Sequence, residues 1–185
     1  MTRLNRWLLE CIKVCVRVCE GASVITSRCS QTYTSASPRL TVFGIPLFTL
    51  SRGPRTVIQG SLKHPGECWS FVGSKGTLAV SLSHPIRITH VTMEHAQRSH
   101  SPTGEIKSAP RDFEVYGIRT QPEKETFLGN FTYDQFGEPS QTFALKDPGE
   151  EAYQAVELHV LTNWGQQEYT CLYRFRVHGH MAPAS

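Results

Sequence analysis

From residue 21 onward, apolar positions come in short runs or alternate with polar ones, and the three-to-four spacing of a helix is absent. In 154–161, QAVELHVL, Val156, Leu158 and Val160 face one way and Glu157 and His159 the other, which predicts a strand with one buried and one wet face. The same reading predicts strands over 39–44, 55–59, 68–73, 76–83, 86–96, 111–118, 126–133, 140–146 and 169–179, separated by Gly, Pro, Ser and Asp clusters. So many short strands predict an all-β fold built as two packed sheets. Residues 1–20 differ: Trp7, Leu8, Cys11 and Cys15, with Val18 or Cys19, share one face of a short helix that stops at Gly21.

Composition narrows this picture. With 185 residues the chain has room for one domain and an extension, and 39% hydrophobic residues against 19% charged ones excludes a disordered chain. The net charge of +3 is spread over isolated Lys and Arg, so no nucleic-acid partner is expected. The most apolar run, 7–18, is broken by Glu10, Lys13 and Arg17 and falls short of the ~20 apolar residues of a membrane span.

Candidate chemistry is sparse. Neither GxSxG, nor HExxH, nor a phosphate-binding Gly loop occurs; 72–77, VGSKGT, reads as a tight turn. His95 and Ser108 suggest the start of a hydrolase site, but no carboxylate is placed to orient the imidazole, and polar residues at a strand end and in the loop 98–110 are the plainer reading. An enzyme is therefore not expected. Cys68 and Cys171 each lie in an aromatic strand; a bridge between them and two buried free thiols are both consistent with that placement. Cys11, Cys15 and Cys19 lack the CxxC spacing of a zinc site, which leaves palmitoylation or burial. Asn130-Phe131-Thr132 is an N-glycosylation acceptor pattern.

Four blocks, HPGECWSFVGSKGTLAVSLS (64–83), SPTGEIKSAPRDFEVYG (101–117), LGNFTYDQFGEPSQTF (128–143) and LTNWGQQEYTCLYRFRVHG (161–179), follow one another in the order and spacing of a SUN domain. The resemblance covers 21–180, with 1–20 as a divergent helical segment and 181–185 as a tail, and is nearest to the sperm-associated members of the family. It implies a discoidin-like (galactose-binding-like) β-sandwich that grips the C-terminal KASH peptide of nesprin-like proteins. The setting implied is the perinuclear space at the inner nuclear membrane, in a LINC-type nucleus-to-cytoskeleton bridge, here with a role in spermatogenesis. In the family the receptor is a homotrimer, and other SUN proteins are further partners.

The resemblance also implies site residues. His95, Ser108, Tyr169 and Tyr173 match the pocket for the KASH C-terminus, where hydroxyl and ring N–H donors suit a terminal carboxylate. Residues 27–48 match the lid hairpin, in which Cys29 corresponds to a cysteine that forms an intermolecular disulfide in some members. Cys68 and Cys171 match an internal disulfide. Residues 56–68 match a loop that binds a monovalent cation, K+ or Na+, largely through carbonyls; the candidate positions are Thr56, Gln59, Ser61 and Glu67, with Ser61 and Glu67 departing from the family pattern of Asp and Asn. No other cofactor is expected.

The family's transmembrane helix and coiled coil are replaced here by 1–20, so the chain reads as a truncated or alternatively spliced product, for which weaker trimerisation is expected. An extracellular carbohydrate- or lipid-binding sandwich is the alternative reading.

Overall fold

The structure is a computed structural model that describes residues 21–34, 40–42, 45–47, 52–59, 67–101, 103–120 and 123–181. The segment 1–20, with Cys11, Cys15 and Cys19, lies outside these residues, as do 35–39, 43–44 and 48 of the predicted lid, the loop 60–66 and 182–185. Eleven strands are described: β1 (Ser23–Val24), β2 (Leu40–Val42), β3 (Ile45–Leu47), β4 (Trp69–Val72), β5 (Gly76–Glu94), β6 (Asp112–Thr120), β7 (Glu123–Thr132), β8 (Ser140–Ala144), β9 (Tyr153–Val160), β10 (Tyr169–Leu172) and β11 (Arg174–Met181). The α-helix α1 (Thr56–Gln59) is a single turn.

Two expected strands, 76–83 and 86–96, are one. β5 runs for 19 residues and changes partners along its length: Gly76–Ser81 pairs β9, while Ile86–Glu94 pairs β11 and His90–Glu94 also pairs β8. The register with β9 shifts between Ser81 and Ile86, around Pro85, which has no N–H for a ladder. One strand thus serves both layers. The larger layer reads β1-β5-β9-β6-β7, and β8 and β11 flank the second half of β5.

The expected strand 169–179 is, conversely, two. β10 pairs β4 and β11 pairs β5, and Tyr173 is the residue between them where the chain changes sheets. The expected strand 55–59 is also corrected: Thr56, Val57 and Ile58 donate their N–H groups to Gly53, Pro54 and Arg55, closing a turn that buries the adjacent pair Val57 and Ile58. Adjacent buried side chains suit a helical turn, and this packing overrides the β-propensity of Thr, Val and Ile.

Trp69, Phe71, Leu78, Ile88, Met93, Phe113, Val115, Val156 and Leu158 fill the space between the layers, all at most 1% exposed. Alternation in β9 holds for Val156, Leu158 and Val160, but Glu157, expected wet, is only 6% exposed. The 3-10 turn Thr26–Arg28 lies over it, and the Arg28 guanidinium donates to Glu157 Oε2 from Nε (3.0 Å) and Nη2 (2.7 Å) and pairs with Glu125.

Of the expected lid, the described parts are residues 27–34, which begin in that 3-10 turn, and an antiparallel ladder of β2 with β3. Gln31 and Tyr33 exchange main-chain hydrogen bonds with Val72 and Ser70, so this stretch lies along β4 and the described hairpin is confined to 40–47.

Candidate functional site

One end of the sandwich is built by the end of β5, the loop 101–110 and β10, which the chain ties together with main-chain hydrogen bonds. The His95 N–H donates to Pro139 O (2.9 Å) and the Cys171 N–H to Ser108 O (2.8 Å); Trp164 and Gln166 donate to Ala109 and Lys107. The TNWG turn that leads into β10 is held by Asn163. Its Oδ1 accepts from the Gly165 N–H (2.9 Å), and its Nδ2 donates to Gln166 O and Thr170 Oγ1. Gly165 has φ 117, a conformation that favours glycine.

A disulfide joins Cys68, just before β4, to Cys171 in β10, with Cα atoms 5.6 Å apart. It packs with Tyr173, Tyr169 and Ala96 as a small cluster separate from the main core. The bridge therefore fixes β10, which begins at Tyr169 and is followed directly by Tyr173. Tyr169 stacks on Tyr33 at 5.1 Å, and the Tyr33 hydroxyl donates to Glu168 Oε2 (2.9 Å).

His95, Ser108, Tyr169 and Tyr173 line one cleft of about 400 Å³, together with Lys107 and Gln166. The His95 ring meets the Tyr173 ring edge-on at 4.7 Å. Burial lowers the His95 pKa from 6.5 to about 4, so the imidazole is neutral at pH 7. Nδ1 lies 3.3 Å from the Ala96 carbonyl and must donate to it, which leaves Nε2, buried and without a hydrogen-bond partner, as an acceptor. The side chains of Ser108 and Tyr169 have no hydrogen-bond partner among the described residues. Lys107 is paired with Glu105 at 2.8 Å at the surface.

This geometry disposes of the hydrolase reading. The ring nitrogen that a catalytic carboxylate would orient faces a main-chain carbonyl instead, and the neighbouring Glu94 is paired with Arg176. What the cleft offers to a polar acceptor group is two unengaged hydroxyls, beside an uncharged imidazole buried in its wall.

The other candidate residues lie elsewhere. The Cys29 thiol is half-buried 3.3 Å from Ile25 O, and burial pushes its pKa up, which keeps it protonated and a poor nucleophile as placed. Thr56 and Gln59 stand in α1, Glu67 pairs with Arg52 at 2.6 Å, and Ser61 is outside the described residues. Among the described residues no group of three or more His, Cys, Asp or Glu side chains is arranged to hold a metal ion, and no helix is long and apolar enough to cross a membrane. Asn130 is exposed on β7.

Tyr33, Asn163 and Glu168, which support the cleft, were not candidates from the sequence. NWG carries a readable Asx-turn signal; the stacking of Tyr33 on Tyr169, 136 positions later in the chain, has no local one. A second cleft, of about 470 Å³, shares Ala96 and Ile106 with the first and is lined by Arg98, Tyr133, Phe136 and Pro139.

Solved structures define the class as a discoidin-like all-β sandwich. The chain is similar to the family 32 carbohydrate-binding module of Streptococcus pneumoniae EndoD (TM-score 0.60, 17% identity, covering 86% of this chain and 96% of that one). It is also similar to an F5/8 type C domain from Bacteroides fragilis (TM-score 0.62, 14% identity, 88% and 94%). At such identities the likeness shows the fold alone.

The family is shown by sequence. The model of the Sad1 / UNC-like C-terminal family matches residues 48–181, and the chain belongs to this SUN-domain family. It is 52% identical to human SUN domain-containing protein 1 over 161 residues, covering 86% of this chain and 20% of that protein. With mouse SUN domain-containing protein 3 the identity is 43% (86% and 50%), and with mouse sperm-associated antigen 4 protein 34% (86% and 36%). The chain spans between about a fifth and a half of these curated relatives.

Proposed function

We propose that this domain is a receptor for an extended peptide with a free C-terminus, of the KASH type, and that it works in the perinuclear space as part of a bridge from nucleus to cytoskeleton. The observation that carries the reading is the convergence of Ser108, Tyr169, Tyr173 and His95 on one cleft, with the Ser108 and Tyr169 hydroxyls unengaged. A terminal carboxylate offers two acceptor oxygens, and each O–H···O⁻ bond is stronger than a neutral one. A neutral, buried His95 shapes the cleft wall and supports the Tyr173 ring, so the cleft holds the peptide end by hydroxyl hydrogen bonds rather than a fixed counter-charge.

Strand addition along the 27–48 segment supplies main-chain hydrogen bonds to the rest of the peptide, and a homotrimer, in which neighbouring protomers share the ligand, is the assembly proposed. In this reading a monovalent cation is held by the 56–68 loop, and Cys29, once exposed, bridges to a ligand cysteine by exchange with a disulfide of the surrounding compartment, which leaves as two thiols.

The test is binding of a labelled KASH C-terminal peptide to the wild type and to Ser108→Ala and Tyr169→Phe. Each change removes one hydroxyl and is expected to weaken binding about tenfold, the size of one charge-assisted hydrogen bond. Unchanged affinity in both variants would refute the site.

A further inference from the structure

We infer that Asn130 is an N-glycosylation site whose first sugar lies against the ring of Phe127. The acceptor triplet lies within β7, the edge strand of the larger sheet. Alternation sends its middle residue inward: Phe131 is half-buried against Phe113 (5.6 Å) and Phe143 (5.3 Å), while Asn130 and Thr132 are exposed. The Asn130 amide has no hydrogen-bond partner among the described residues, so a glycan there displaces nothing that holds the fold.

The second observation is Phe127, a large apolar side chain left 54% exposed three residues before the acceptor. Cross-strand register pairs Glu114 with Asn130 and Tyr116 with Phe127, with a bulge between the pairs. Glu114 and Tyr116 share one face, since the Tyr116 hydroxyl donates to Glu114 Oε2 at 2.8 Å. Phe127 and Asn130 therefore project from the same outer face of the sheet. Tyr116 touches Phe127 only edge-on, at 5.5 Å, which leaves aromatic surface facing solvent. The C–H-rich face of an N-acetylglucosamine ring on Asn130 covers that surface, as apolar groups do on aromatic faces. Among the described residues no strand lies beyond β7, and a branched glycan at its rim also blocks strand addition to that edge.

The transfer is balanced without redox chemistry. The Asn130 amide nitrogen displaces the lipid pyrophosphate from C1 of a lipid-pyrophosphate-linked oligosaccharide, a C–N bond replaces the C–O bond, and the amide nitrogen loses one proton. Donor and transferase are lumenal, so modification in the cell rests on the perinuclear location proposed above, whereas the competence of the site does not.

The test separates the two. The full chain is translated into microsomes behind an added signal peptide, with protease protection to verify entry, and in parallel expressed in cells without one. In microsomes a single slower-migrating form is expected that peptide-N-glycosidase removes and that Asn130→Gln and Thr132→Ala both abolish; a protected chain without that form overturns the inference. A shift in microsomes upholds the site, and a shift in cells as well upholds the lumenal location. For the Phe127 contact, the glycosylated wild type is expected to be more resistant to unfolding than the enzymatically deglycosylated form by about fivefold in the unfolding equilibrium. Phe127→Ala is expected to erase that difference, and an equal difference in the variant overturns the contact.

Discussion

Replacing His95 by Gln should remove part of the acid sensitivity of the fold. In the folded protein burial holds the His95 pKa at about 4, against 6.5 for an unhindered imidazole. At pH 7 both states are neutral and the group contributes no pH dependence. Below 6.5 the unfolded chain takes up a proton that the folded chain does not, so stability falls with pH until the folded pKa is reached. At about 1.4 kcal/mol per pH decade, the loss reaches about 2 kcal/mol at pH 5 and about 3 kcal/mol at pH 4.

Carboxylates titrate in the same window and His178 is also lowered to about 4, so the wild-type curve alone is not diagnostic. Those contributions are common to wild type and variant and cancel in the difference. Gln retains a donor for the Ala96 carbonyl and carries no titrating proton. Urea unfolding at pH 7 and pH 5 should show the stability gap between wild type and His95→Gln shift by about 2 kcal/mol in favour of the variant at the lower pH. Parallel losses in both proteins, or an imidazole NMR titration of folded His95 near 6.5, would show that burial does not hold the ring neutral.

Two further perturbations follow from the same geometry. Changing Cys68 and Cys171 together to Ser opens a loop of sequence separation 103, and should destabilise the fold by about 2–5 kcal/mol in denaturant titration while loosening Tyr169 and Tyr173 enough to weaken peptide binding. Arg28→Ala strips Glu157, whose side chain is 8% exposed, of two hydrogen bonds and should cost roughly 2–3 kcal/mol. The double variant with Glu157→Gln should cost less than Arg28→Ala alone, because the buried group that keeps only its His159 contact is then uncharged, and a larger loss in the double variant would contradict this.

The all-β class was legible because β9 and its neighbours alternate cleanly and turn residues punctuate the runs. Errors in the strand list have tertiary causes. Pro85 and the Ser-His before it read as a turn, but β5 continues through them because it has partners in both layers. Tyr173 reads as mid-strand because nothing local marks a change of sheet. Thr56, Val57 and Ile58 read as strand because their propensity is strong and the packing that coils them is remote.

At the site, the resemblance named His95, Ser108, Tyr169 and Tyr173, and the fold places them around one cleft. Which nitrogen of His95 is protonated depends on the Ala96 carbonyl and on burial, and neither is written in the sequence. Likewise the exposure of Phe127 beside Asn130 depends on a bulge and a cross-strand register that only the paired strands reveal.

Recognition of a peptide's terminal carboxylate is the role proposed for the cleft. The most direct measurement is the affinity of one KASH C-terminal peptide in two forms, free acid and C-terminal amide, at pH 7 and fixed salt. The free acid is expected to bind about tenfold or more tightly, since the amide loses the charge that strengthens its bonds to the Ser108 and Tyr169 hydroxyls. Equal affinity of the two forms would contradict the claim.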